Sequence, residues 1–197
     1  GTTLVLSPLI ALMEDQVSAL QAAGVRAECI HSGRDREHSR RVCQEYLGGA
    51  LDFLFVAPER LRVRGFPEML AKRRPTLIAV DEAHCISQWG HDFRPDYRVL
   101  KEGLAGLRPG PVLALTATAT PEVQRDICVQ LDLEKPERFV QGFRRVNLGI
   151  ELVDLLPRAR AAAVKRVLRD PANRPAIVYA ASRKQAEQLA SALGKRC

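Results

Sequence analysis

The chain has 197 residues, 46% of them hydrophobic, with thirty Lys and Arg against 23 Asp and Glu for a net charge of +7. That length and apolar content suffice to bury a core, which excludes a disordered chain and leaves room for one large domain or parts of two. Five cysteines (Cys29, Cys43, Cys85, Cys128, Cys197), odd in number and without a C-x-x-C pair, argue against a disulfide framework or a zinc site, and no apolar run approaches the roughly 20 residues that span a bilayer.

The basic balance is compatible with a polyanionic partner. Only six of the thirty basic residues are Lys, leaving twenty-four Arg, whose planar fork suits phosphate oxygens. A GC-rich coding bias toward Arg and Ala gives the same composition.

In chain order, short β-rich runs alternate with helical patterns, which predicts an α/β layered fold with a mainly parallel sheet. The predicted strands are Thr3–Leu6, Val25–Ile30, Asp52–Val56, Thr76–Val80, Val112–Leu115, Asn147–Val153 and Ala176–Tyr179. Several lack polar alternation, as strands covered on both faces do. Ser7-Pro8 reads as an N-cap and first helical position ahead of a helix closed by Gly24, with Leu9, Met13, Val17 and Leu20 at helical spacing. Thr120-Pro121 repeats the device before Val123, Ile127 and Leu131. Ser182 and Gln185 form a capping box ahead of Leu189 and Leu193. A sheet-like rhythm restarts in "RFVQGFRRVNLGIEL", so a domain boundary is expected near residue 145, dividing 1–145 from 146–197. Between Arg158 and Arg174 six basic residues face one acid, Asp170. This cluster reads as a solvated helix face or as a nucleic-acid surface.

The chemistry concentrates behind the apolar run "TLIAV", where the chain continues "DEAHCISQWGHDFRPDY" (81–97). In open α/β sheets the ligand crevice lies at the carboxyl ends of the strands. Asp81 is therefore placed to hold Mg²⁺ through water, as the acid ending a strand does in nucleotide-hydrolysing P-loop enzymes. Glu82 is placed to orient or deprotonate the attacking water, and His84 to relay the state of the γ-phosphate. A lone acid pair at a strand end would equally be a cap or a solvated carboxylate; four ordered residues D-E-A-H behind an apolar strand are more specific. "LALTATAT" (113–120) ends another strand at the same edge, offering Thr116 and Thr118 to the acidic site or to the cap of the next helix. "LVLSPLIALMEDQV" (4–17) sets Ser7 at a helix N-terminus, a seat for a phosphate of a nucleic-acid backbone or simply a capped helix start.

Taken together, "SPLIALMEDQV", "APERL", "DEAHCISQWGHDFRPDY", "LTATAT", "FRRVNL" and "IVYAASRKQAEQLA" closely resemble RecQ-type DNA helicases, in the DEAH-bearing branch of helicase superfamily 2. The resemblance extends over nearly the whole chain, and the seventeen-residue central stretch is its most specific part. It implies a RecA-like P-loop NTPase fold, with most of a first motor domain and the start of a second, and ATP and Mg²⁺ as cofactors. It further implies 3′-to-5′ unwinding of DNA, single-stranded and forked DNA as partners, and a role in DNA repair and recombination. The corresponding location is bacterial cytoplasm at the nucleoid, or a eukaryotic nucleus, with no membrane association.

By the same resemblance, the loop after the acids senses single-stranded DNA through Gln88, Trp89, His91, Asp92, Phe93, Arg94 and Tyr97. Aromatic faces stack on unpaired bases for about 1–3 kcal/mol each regardless of sequence, and Arg adds cation–π or phosphate contacts. The other reading of these rings is a hydrophobic plug beneath a lid. Backbone-contacting motifs would include Ser7, Pro8 and Gln16, together with Pro58, Glu59 and Arg60 of "APERL". Ser182 and Arg183 of "YAASRK" would lie near nucleic acid or an interdomain cleft. Two other functions are compatible with the residues: a nonenzymatic nucleic-acid-binding module, and an RNA helicase of the wider superfamily.

The sequence contains no G-x-x-x-x-G-K-[ST] loop; "ALGKRC" lacks the first glycine and the hydroxyl. The expectation is that this loop and an adenine-reading glutamine motif lie upstream of Gly1, and the arginine fingers and any zinc-binding or winged-helix modules beyond Cys197. The 197 residues purified alone are therefore expected to show negligible ATP turnover in a phosphate-release assay, with or without single-stranded DNA.

Overall fold

A computed structural model describes residues 1–90, 92–107, 110–142 and 147–194. Contacts divide the chain into two units, Gly1–Phe139 and Val140–Cys197; the expected boundary at residue 145, within "FRRVNL", lies outside the described residues.

The first unit is built on five parallel strands, β1 (Thr3–Leu6), β2 (Ala27–Ile30), β3 (Phe53–Val56), β4 (Leu77–Val80) and β5 (Val112–Ala114), in the order β2-β3-β1-β4-β5. All five lie within the segments that the sequence predicts as strands. Each connection between successive strands carries helix: α1 (Ile10–Ala22), α2 (Arg36–Gly48), α3 (Phe66–Ala71), and α4 (Leu100–Ala105); α5 (Pro121–Gln130) follows β5. Successive side chains on a strand point to opposite faces, and both faces of this sheet are packed. Leu4, Leu6, Leu54, Val56, Ile78 and Val80 bury one face against Tyr46 of α2, Leu70 of α3, Leu104 of α4 and Ile127 of α5. Ala27, Cys29, Phe55 and Ala57 bury the other against Met13 and Val17 of α1. This two-sided burial accounts for the missing polar alternation.

Helix α1 departs from the expected start. Its N-cap is Leu9, which makes no side-chain cap, and not Ser7. The Ser7 N–H instead extends the sheet by donating to the Val56 carbonyl at 3.3 Å, so Ser7 belongs to the strand end and Pro8 turns the chain into the helix. Gly24 follows the helix at φ +79°, a left-handed conformation that favours glycine. Thr120 does cap α5, accepting from the Val123 N–H at 3.4 Å, with Pro121 at the first helical position.

The second unit contains α6 (Pro157–Val167) and α7 (Arg183–Leu193), the latter capped by Ser182, which accepts from the Gln185 N–H at 3.3 Å. The predicted strands 147–153 and 176–179 are not strands: among the described residues neither is paired in a ladder, and Ile150, Leu152, Ile177 and Tyr179 are exposed. A strand is a hydrogen-bonded pairing and not a local conformation, so β-rich composition alone does not produce one. Of the basic cluster here, Arg174 is a structural cap: its guanidinium donates to the carbonyls of Leu168 at 2.8 Å and Arg169 at 3.2 Å, at the end of α6.

Leu54 is fully buried at the centre of the first unit's sheet. Leu54→Ala is expected to destabilise that unit by about 2–5 kcal/mol through lost burial and a residual cavity, measured by denaturant unfolding followed by circular dichroism. A loss under about 1 kcal/mol would show that the site collapses to fill the space.

Candidate functional site

The parallel register determines which residues meet. Leu6 pairs with both Val56 and Val80, Ile30 with Val56, and Val80 with Ala114. The residues that follow these, Ser7, Ala57, Asp81, His31 and Leu115, therefore line up along the carboxyl edge of the sheet, where the ligand crevice of open α/β folds lies.

Asp81 is held from several sides. Its N–H donates to the Leu6 carbonyl at 2.8 Å. Carboxylate oxygen Oδ1 accepts from the Glu82 N–H at 2.9 Å, and Oδ2 accepts from the Ser7 hydroxyl at 3.4 Å. Ser7 is fully buried. The fold thus turns the Ser7 hydroxyl toward an acid rather than outward to a nucleic-acid backbone, a correction to its sequence assignment. Glu82 sits in the left-handed region at φ +46°, uncommon for a residue with a side chain. It leads directly into a 3-10 turn, Ala83–Ile86, that carries His84.

His84 Nδ1 lies 3.2 Å from Glu82 Oε2 and 2.9 Å from Thr116 Oγ1. His84 Nδ1 thus faces both the Glu82 carboxylate and the Thr116 hydroxyl. Thr116 accordingly joins the acidic site. Thr118 contributes its backbone: its N–H donates to Thr116 Oγ1 at 3.2 Å, and the Thr116 hydroxyl reaches the Thr118 carbonyl at 3.3 Å.

The loop that follows is tied back to this edge. The Arg94 guanidinium donates to the Pro8 carbonyl at 3.2 Å and pairs with Asp92 at 2.9 Å, and that carboxylate raises its pKa further. Cys85 is buried beside Asp92 and Arg94; burial above all pushes its thiol up to about 11, so it stays protonated. Gly90 is required for close approach, because a Cβ there would stand 2.5 Å from the His84 carbonyl oxygen.

Within the loop the aromatic residues part company. Trp89 is 77% exposed and lies at a groove lined by Glu122, Arg125, Asp126 and Val129 of α5. Phe93 is partly exposed, with the Arg98 guanidinium 5.4 Å over its ring. Tyr97 is 1% exposed, and its hydroxyl donates to the Asp81 carbonyl at 2.9 Å. Of the three rings Tyr97 is the buried plug, which removes it from the residues available to stack on a base. Gln88 is exposed, and His91 lies outside the described residues.

Elsewhere in the first unit, Gln16 Oε1 and Arg60 Nε are buried without a hydrogen-bond partner. The Arg60 guanidinium lies 5.4 Å over Phe66, Glu59 sits in the first turn of the 3-10 helix Pro58–Arg62, and Pro58 is buried. In the second unit Ser182 and Arg183 are exposed at the start of α7.

Sequence reasoning missed the Ser7–Asp81 and Tyr97–Asp81 contacts. They join residues 74 and 16 positions apart, and no local pattern encodes them.

Among the described residues no helix is long and apolar enough to cross a membrane. The ATP-dependent DNA helicase RecQ of Bacillus subtilis is 42% identical to this chain over 190 residues, covering 96% of the chain and 32% of that protein. RecQ of Haemophilus influenzae is 37% identical over 193 residues, covering 98% and 31%. The ATP-dependent helicase SGS1 of Saccharomyces cerevisiae is 36% identical over 196 residues, covering 97% and 14%. The chain thus spans about a third or less of the length of these curated relatives. A family model described as DEAD/DEAH box helicase matches residues 1–127, and the parallel sheet bearing the acidic pair is of the RecA-like kind. With that match covering most of its length, the chain belongs to the DEAD/DEAH box helicase family, and it resembles the RecQ-type members over nearly all of its residues.

Proposed function

We propose that this chain carries the hydrolytic acid pair and the DNA-sensing loop of an ATP-dependent 3′-to-5′ DNA helicase of the RecQ type, acting on single-stranded and forked DNA in repair or recombination. One observation carries the reading: the loop that presents Trp89 to solvent leaves directly from the Asp81–Glu82 pair and returns to it through Tyr97, whose hydroxyl donates to the Asp81 carbonyl. In this reading residues 1–145 form a first RecA-like motor domain and 146–197 belong to a second, a division supported by the separate contact units. The working location is then wherever the DNA is, at a bacterial nucleoid or in a nucleus.

The donor set suits Mg²⁺, a hard cation that takes oxygen ligands and keeps much of its water. Asp81 offers a carboxylate at the sheet edge beside the Ser7 hydroxyl. Asp81 would hold the ion through water, and the ion would neutralise phosphate charge during transfer. Glu82 orients or deprotonates the attacking water. His84 and Thr116, hydrogen-bonded to each other, hold the Glu82 carboxylate against the β5 edge. Trp89 supplies a sequence-independent stacking face and Phe93 a second, with Gln88, His91 and Arg94 flanking them. Gln16 of α1 and Arg60 of the Pro58–Arg62 turn remain in the proposed backbone-contacting set. Pro8, Glu59, Ser182 and Arg183 remain part of the proposed contact set, Pro8 through the carbonyl that anchors Arg94.

Two substitutions in the full-length protein test the roles. Glu82→Gln should keep ATP affinity while turnover falls by about 10²–10⁴-fold, the usual contribution of a general base; undiminished turnover in a phosphate-release assay refutes that role. Trp89→Ala should weaken single-strand binding by about 10- to 100-fold, as expected for one lost stacking contact, and abolish DNA stimulation of hydrolysis while ATP still binds. Normal stimulation in that variant sinks the sensing role, and equal stimulation by RNA and DNA would reassign the substrate.

A further inference from the structure

The peptide joining Asp81 to Glu82 is gripped at both of its polar groups. Its N–H donates to Asp81 Oδ1 at 2.9 Å, and its carbonyl accepts from the Tyr97 hydroxyl at 2.9 Å. The next peptide is held too, because the Ala83 N–H donates to the Leu115 carbonyl at 2.9 Å. Glu82 lies between these two fixed planes with φ 46° and ψ 43°. Side-chain-bearing residues keep such a conformation only where the surroundings over-determine it, and such residues cluster at functional sites.

We infer that Tyr97 is a positioning residue for Glu82: by clamping the Asp81–Glu82 peptide it fixes the left-handed backbone that aims the Glu82 carboxylate. The inference rests on the helicase reading of the acid pair and adds a residue that acts through the backbone rather than on nucleotide or DNA. Tyr97 suits the task because its ring is buried, so water cannot readily replace its hydroxyl at the carbonyl.

Tyr97 also ends the aromatic loop. Its N–H donates to the Arg94 carbonyl at 2.9 Å, and the Arg94 N–H donates to the Cys85 carbonyl at 2.9 Å. A displacement of residues 87–94 by bound DNA would therefore reach Tyr97, then the clamped peptide, then Glu82. Of the hydrogen bonds on this route, the one from the Tyr97 hydroxyl to the Asp81 carbonyl is made by a side chain and can be removed singly.

Tyr97→Phe in the full-length protein removes the clamp and keeps the ring. The expected result is a fall of about tenfold in DNA-stimulated kcat, the effect of one hydrogen bond lost from a buried acceptor. KM for ATP and the half-saturating concentration of a dT oligonucleotide should change by less than about twofold, since neither ligand touches Tyr97. An unchanged kcat overturns the inference, as does a kcat loss matched by equal rises in both of the other constants, which would mark general loosening. If the variant does not fold, hydrogen exchange of the unmodified protein decides: adding the oligonucleotide should change exchange in residues 80–86 together with 87–97. A change confined to 87–97 refutes the route. Stimulation by the oligonucleotide in the unmodified protein, with the variant equally stimulated, defeats the clamp alone. Absence of stimulation in the unmodified protein defeats the helicase reading and the clamp with it.

Discussion

The in-register parallel pairing of β4 with β1 on one side and β5 on the other is the constraint on which the site depends. Because strand side chains alternate with a period of two, a slip of one residue in β4 would turn its buried set, Ile78 and Val80, to the opposite face. The same slip would carry Asp81 away from Ser7 and misplace Glu82 relative to Thr116. Packing of those apolar side chains against α2 to α5 therefore guarantees the position of the acids as well as the stability of the sheet. The site inherits its geometry from the core.

That inheritance explains how a loop rich in polar and aromatic residues can be specific in shape. A seventeen-residue excursion after a strand would normally sample many conformations. Here it is fastened by Arg94 to the Pro8 carbonyl, by Tyr97 to the Asp81 carbonyl, and by the close approach of Gly90 to His84. The fasteners are buried or partly buried, whereas Trp89 is outside. A loop with anchored feet and an exposed ring suits binding at one end and response at the other, because displacement of the ring must be accommodated at the feet.

Much of this was legible in the residues. All five strands of the first unit lie in the predicted segments, Thr120 caps α5 as its Thr-Pro signature indicates, and the acids fall at the end of an apolar strand as the crevice rule requires. These signals are local: periodicity, a capping hydroxyl, a proline at a helix start. Where the local signal was ambiguous the reading went astray. Ser7-Pro8 has the composition of a helix cap, yet Ser7 continues the strand because its N–H finds Val56 and its hydroxyl finds Asp81. The segments 147–153 and 176–179 have strand composition without a partner, and composition cannot supply one.

The sequence by itself determined the family, since D-E-A-H behind an apolar strand, with the motifs around it, is a set of particular residue types in a particular order. It determined the strands and most helix signals for the same reason: backbone preference and apolar period act over a few residues. Which side chains meet was decided by the tertiary structure alone. The separation of Trp89 from Tyr97, one ring outward and one inward, and the clamp on the Asp81–Glu82 peptide depend on sheet register and burial. Those are properties of contacts between distant segments, and no short stretch of sequence contains them.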